Sequence, residues 1–198
     1  TQEYLAGQLN GRELAVSYSF ANNLGTDVQS GSSSGYSGYV EVRDDSGAIK
    51  VEVPAEWTDV DGSQFESGGI TWAAVQAAPS LQGFNDYTEP GVLFAVSKDI
   101  AQAGGYVQML DGLREAFRPD CDYSPSDRTD YEDSAYEGQY DVFTNCNGTD
   151  NVYIVLSARP KENQTAFLLF VLVNIITEPD LNALDQILAT FDVVGELP

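Results

Sequence analysis

The chain has 198 residues, with 31 Asp and Glu against nine Lys and Arg and no histidine, for a formal net charge of −22. Phosphate backbones and anionic lipids are bound through clusters of Lys and Arg, and none occurs here, so nucleic acid and anionic membrane surfaces are excluded as partners. Without histidine the usual general base of Ser and Cys hydrolases is missing, as is the commonest ligand of catalytic zinc, which leaves carboxylate chemistry or none.

An apolar content of 42%, with eleven Tyr, nine Phe and two Trp, is that of a folded chain. A domain near this size buries roughly 70% of its unfolded surface, so a sizeable core is expected. The longest apolar run, 166–173, is far short of the about 20 residues of a membrane helix and reads as a buried strand. The chain starts at Thr1 without a charged segment leading into an apolar one, which reads as a protein whose signal peptide has been removed. The acidic surface suits extracellular or salty surroundings.

In chain order, residues 1–24 form an N-terminal arm with two open readings. Leu14, Val16, Tyr18 and Phe20 alternate like a half-buried strand after a turn at Asn10-Gly11, while Tyr4, Leu5, Leu9 and Val16 also fit a helix weakened by Gly7 and Gly11. Residues 25–38 are rich in Gly and Ser and read as a flexible linker. The main domain, 39–198, opens with alternating segments at 39–43 and 48–53 joined by a turn at Asp44-Asp45-Ser46-Gly47, and Pro54 closes the second. Further strands are expected at 70–77, 92–96, 136–144, 152–158 and 166–176, the last two as a hairpin over 159–164. Tyr106, Met109, Leu110, Leu113 and Phe117 share one helical face, as do Leu181, Leu184, Ile187, Leu188 and Phe191. Thr177 is placed to cap the second helix, with Asp180 in its first turn. Sequential strands with few crossover helices predict an α+β fold, a mainly antiparallel sheet sandwiched by helices.

The stretch from Asp45-Ser46-Gly47 to Trp57-Thr58-Asp59-Val60-Asp61-Gly62 resembles the opening of secreted bacterial domains that accompany trypsin-like serine protease modules. It also resembles the first hairpin of the PsbP/Mog1-like fold, where a strand ends in Pro and a Trp follows. The similarity continues through Pro90-Gly91-Val92-Leu93-Phe94-Ala95, the 136–146 segment and 184–191. It implies a non-catalytic neighbour of a serine protease module in a larger secreted or lipid-anchored protein, working with a protein partner or that module. The acidic insertion at 118–133 departs from the PsbP-like pattern.

Cys121 and Cys146 lie among polar turn residues, where a reduced core thiol would be out of place, and so predict a disulfide and an extracytoplasmic setting. The segment 118–133 holds six carboxylates, Asp120, Asp122, Asp127, Asp130, Glu132 and Asp133. That density is the best candidate for a hard cation such as calcium, although the spacing lacks the Gly and Glu of an EF-hand, and the favoured reading is a solvated loop pinned by the disulfide, with no cofactor. Asp59-Val60-Asp61-Gly62-Ser63 reads as a turn, and Trp57 and Trp72 as core rather than sugar-stacking platforms. Ser32, Ser33 and Ser34 belong to the linker and lack a nucleophile-elbow pattern. Asn147-Gly148-Thr149 and Asn163-Gln164-Thr165 match the glycosylation acceptor pattern. The reading is thus a non-catalytic accessory or partner-binding domain, with a calcium-dependent binding module and then a carboxylate-dependent hydrolase as alternatives.

Overall fold

The alternating and continuous apolar segments assemble into a seven-strand path in the computed structural model, which describes residues 35–99, 104–125 and 128–198 and the backbone of 5–9 and 12–16. Two short strands form an N-terminal hairpin, β1 (Leu5–Leu9) and β2 (Arg12–Val16), so the strand reading of the arm holds at Leu14 and Val16; Tyr4, Tyr18 and Phe20 lie outside the described residues. The next hairpin joins β3 (Tyr39–Arg43) to β4 (Ile49–Pro54), and its turn is knotted by Asp44, whose buried carboxylate accepts from Ser46 N at 3.1 Å and Ile49 N at 2.8 Å.

The central sheet contains β5 (Asp59–Asp61), β7 (Ile70–Ala78), β8 (Gly91–Ser97), β10 (Thr129–Glu132), β11 (Tyr136–Thr144), β12 (Val152–Pro160) and β13 (Leu168–Ile175), in the order β10-β11-β12-β13-β8-β7-β5. Every pairing is antiparallel. Two short strands lie off this path, β6 (Phe65–Ser67) on β7 and β9 (Asp122–Tyr123) on β11. A second small sheet sets β14 (Asp192–Val193) and β3 on either side of β4. The helices are α1 (Leu81–Asn85), α2 (Tyr106–Phe117) and α3 (Glu178–Thr190).

The central strands β12 and β13 are apolar on both sides because both sides of the sheet are covered, so their side chains do not alternate with solvent. One face, with Val75, Phe94, Ile154 and Val171, packs on α3 through Leu184 and Ile187 and on the small sheet through Ile49 and Val51. The opposite face, with Phe143, Val155 and Leu172, packs on Leu110 of α2 and Phe84 of α1. Trp57 and Trp72 are both buried, as core residues should be. The mainly antiparallel α+β arrangement expected from the residue pattern is the one observed.

Two local expectations differ from what is found. Asp59–Asp61 is an edge strand against β7, and the turn is confined to its end, where Asp61 Oδ1 accepts from Ser63 N at 2.8 Å; Asp59 Oδ2 instead accepts from Leu81 N at 2.8 Å. The segment 118–133 is not loop throughout, since Asp122–Tyr123 and Thr129–Glu132 join the sheet edge next to β11. At α3 the expectation holds: Thr177 is the N-cap and Asp180 lies in the first turn, its Oδ2 accepting from Thr177 N at 2.7 Å, Ile176 N at 3.0 Å and the Thr177 hydroxyl at 2.9 Å. This is a capping box, with a carboxylate at the positive end of the helix.

Candidate functional site

The chemistry-bearing residues of 118–133 are spread along an edge of the sheet. Cys121 follows the last turn of α2 and is bonded to Cys146, which sits in a short 3-10 turn after β11; both are buried. Asn147 N donates to Asp120 O at 2.7 Å beside the bridge, and Asn145 Nδ2 to Asp122 Oδ2 at 2.8 Å. Asp130 accepts from Gln139 Nε2 at 2.9 Å, Glu132 pairs with Lys161, and Asp133 accepts from Ala135 N and Tyr136 N at 2.6 Å each and from the Tyr131 hydroxyl at 2.5 Å. Asp127 lies outside the described residues. Among the described residues no three carboxylates converge as a metal site. The edge strands separate them, and protein donors occupy the carboxylates of Asp122, Asp130, Glu132 and Asp133.

The same segment carries an ion pair that reaches the interior. Asp141 lies in mid-β11 on the face toward α2, fully buried. Arg128, 17% exposed, grips it with Nε to Oδ1 at 2.7 Å and Nη2 to Oδ2 at 2.6 Å, and its Nη1 reaches Asp111 Oδ1 of α2 at 2.7 Å. This planar two-point contact is the strong form of a charge-assisted hydrogen bond, and it holds the Arg128 guanidinium well above its ordinary pKa. Tyr123 completes the group, its hydroxyl 3.3 Å from Asp141 Oδ1. Burial, and then the Asp141 charge, push the Tyr123 pKa up. Arg128 thereby clamps the acidic segment onto the sheet and α2 together, with the disulfide as the second clamp.

A groove of about 370 Å³ runs between the small sheet, the end of α3 and the start of β11, bordered by Glu41, Lys50, Glu52, Asp133, Tyr136 and Asp192. Its polar groups are engaged with one another: Lys50 with Glu41 at 3.1 Å, Glu52 with Gln186, and the Tyr136 hydroxyl with Asp192 Oδ1 at 2.9 Å. Hydrogen bonds from Lys50 and Arg43 hold the Glu41 carboxyl below its usual range, and burial, then the Asp192 charge, raise the Tyr136 pKa. The groove is a surface of short, internally satisfied polar contacts.

No protein-family model matches the chain, and no curated protein matches it. Solved structures do resemble it. The Ran-binding protein Mog1p of Saccharomyces cerevisiae is 11% identical over 79% of this chain and 95% of its own, with a TM-score of 0.45. Cyanobacterial PsbP (CyanoP) of Synechocystis is 12% identical over 84% of this chain and 99% of its own, with a TM-score of 0.48. The chain is similar to both in fold. These are the two proteins named in the resemblance drawn from the first hairpin and Trp57.

Sequence reasoning picked out the disulfide and the acidic segment but missed the partners that organise them. Arg128 was read only as part of a carboxylate-rich stretch. The one signal that could have found its role is Asp141, a carboxylate in the middle of a strand whose neighbours, Tyr140, Val142 and Phe143, are all core residues. An acid at such a position calls for a cation or hydrogen-bond donors brought to it. Tyr36, assigned by composition to the linker, is packed against Trp57 with ring centroids 6.0 Å apart. Both acceptor motifs are on the surface: Asn147 is exposed beside Cys146, and Asn163 is exposed at the tip of the β12–β13 hairpin.

Proposed function

We propose that this is a non-catalytic extracytoplasmic domain that binds a protein partner or serves a neighbouring module of a larger secreted or lipid-anchored protein. The observation that carries the reading is the Cys121–Cys146 disulfide, buried where α2 meets the sheet, because such bonds persist in oxidising compartments. The buried carboxylates support the non-catalytic part. Asp44 knots a turn, Asp141 is neutralised by Arg128 and Asp180 caps a helix, whereas carboxylate catalysis needs an acid and a base facing one reacting bond.

The charge pattern supports a protein rather than a polyanion as partner. Each arginine with a described side chain is ion-paired, as are Lys50 and Lys161, and Lys98 donates to Leu197 O at 3.1 Å. Little cationic character is left to displace counterions from a phosphate chain.

The test is alkylation and intact-mass measurement of the protein taken from its native cells without reduction. One disulfide and no alkylated thiol are expected; two alkylated thiols would remove the extracytoplasmic reading. Sustained turnover of a chromogenic glycoside or ester by the purified chain would overturn the non-catalytic part.

A further inference from the structure

Residues 35–38 enter the domain as a strap lying across Trp57 and the start of α3. The Tyr36 hydroxyl donates to Asp180 Oδ1 and accepts from Trp57 Nε1 at 3.1 Å, with the two rings edge to face at 86°. The flanking contacts are slight: Ser37 N donates to Glu56 Oε1 at 2.8 Å, and Ala55 N to Gly38 O at 2.9 Å. A Cβ built on Gly35 or Gly38 would meet nothing within 4 Å, so the chain on either side of Tyr36 is not wedged in place. Beside these two hydrogen bonds, Tyr36 is the strap residue that packs on the core.

The socket beneath it belongs to the domain. Asp180 is fully buried, and its Oδ2 is taken up by the start of α3, which fixes Oδ1 facing the strap. Trp57 is 1% exposed and presents its indole N–H to the same point. A buried acceptor and a buried donor meeting at one atom, beside the edge of an indole, select a group that donates and accepts at once on an aromatic ring. That group is a phenol. A benzene ring of the same size would leave both polar atoms unpaired, which is the costlier outcome in a buried site.

We propose that Asp180 and Trp57 form a phenol-binding socket, occupied in cis by Tyr36, which locks the strap against the domain. The lock fixes the strap next to the N-terminus of α3. When Tyr36 is out, the socket accepts the phenol of another molecule.

Two variants of the full chain test this. In Tyr36→Gly, millimolar p-cresol should raise the melting temperature while toluene gives less than half that shift, and wild type should respond to neither. Equal shifts from p-cresol and toluene, or none from either, would overturn the socket. In Tyr36→Phe, which keeps the ring, amide exchange at Ser37 and Ala55 should quicken by about tenfold while the amides of β12 and β13 keep their protection. Unchanged exchange at Ser37 and Ala55 would overturn the lock.

Discussion

Replacing Arg128 with Ala removes the cation from a fully buried carboxylate. Asp141 is 0% exposed and would keep only the 3.3 Å contact from Tyr123, having lost bonds of 2.7 and 2.6 Å. Removing one member of a buried pair costs about 3–5 kcal/mol. Because Arg128 is itself 17% exposed, water can reach part of the vacated space, which places the loss near the lower end, about 3 kcal/mol. With a urea dependence of about 2 kcal/mol per molar for a domain of this size, the unfolding midpoint should fall by about 1.5 M with its slope unchanged. Arg128→Lys keeps the charge but not the two-point fork, and should lose about half as much. The paired change Arg128→Met with Asp141→Leu should recover most of the loss, since an apolar pair of similar volume desolvates no charge. If Arg128→Ala stays within about 1 kcal/mol of wild type, or if the double variant is less stable than the single one, the account of this clamp is wrong.

Three further outcomes follow from the geometry. A Cβ on Gly138 of β11 would lie 2.1 Å from Ser157 O and 2.6 Å from Ala158 Cα of β12, so Gly138→Ala should destabilise by about 3 kcal/mol or more; Gly112→Ala, with open space on exposed α2, should stabilise by about 0.5–1 kcal/mol, and chemical denaturation showing the reverse order would refute both. Reducing the disulfide frees a loop with a sequence separation of 25, which should cost about 3.5 kcal/mol on the chain-entropy model and lower the melting temperature; an unchanged melting temperature after verified reduction would contradict it. Burial, foremost, raises the hydroxyl pKa of Tyr36, Tyr136 and Tyr153, so above the ordinary tyrosine pKa of about 10 the folded state holds more protons than the unfolded one. Stability linked to these groups is therefore fully present below that pH and declines as pH rises beyond it. Absorbance at phenolate wavelengths should show a late fraction ionising only as near-UV circular dichroism is lost, and a single step with the fold intact would refute this.

The long elements were legible because their signals are strong and local. The strands at 70–77, 136–144 and 152–158 and both helical faces lie within a residue or two of where periodicity placed them. The short edge strands β5, β9, β10 and β14 were not legible, since two to four residues carry no period and pair only because a neighbouring strand offers free backbone groups. The acidic segment shows the same limit at the level of side chains. Its charge was visible, but what each carboxylate meets depends on Gln139, Asn145 and Lys161, which only the sheet register brings alongside. Tyr36 was hidden for another reason: composition describes the average behaviour of 25–38, whereas one aromatic residue with a prepared socket decides the behaviour of its end.

The two rims of the central sheet, β10 and β5, share a property that bears on how copies of this molecule meet. Each ends the sheet among the described residues, and each carries exposed carboxylates: Asp130 and Glu132 on one rim, Asp59 and Asp61 on the other. A copy that approached rim to rim would bring carboxylate against carboxylate, so strand addition at either rim is opposed by mutual repulsion. The guard is ionic and therefore conditional. Molar salt shortens the reach of the repulsion to about 3 Å and acid removes the charges, and under either condition sheet-to-sheet polymerisation becomes the expected route of aggregation.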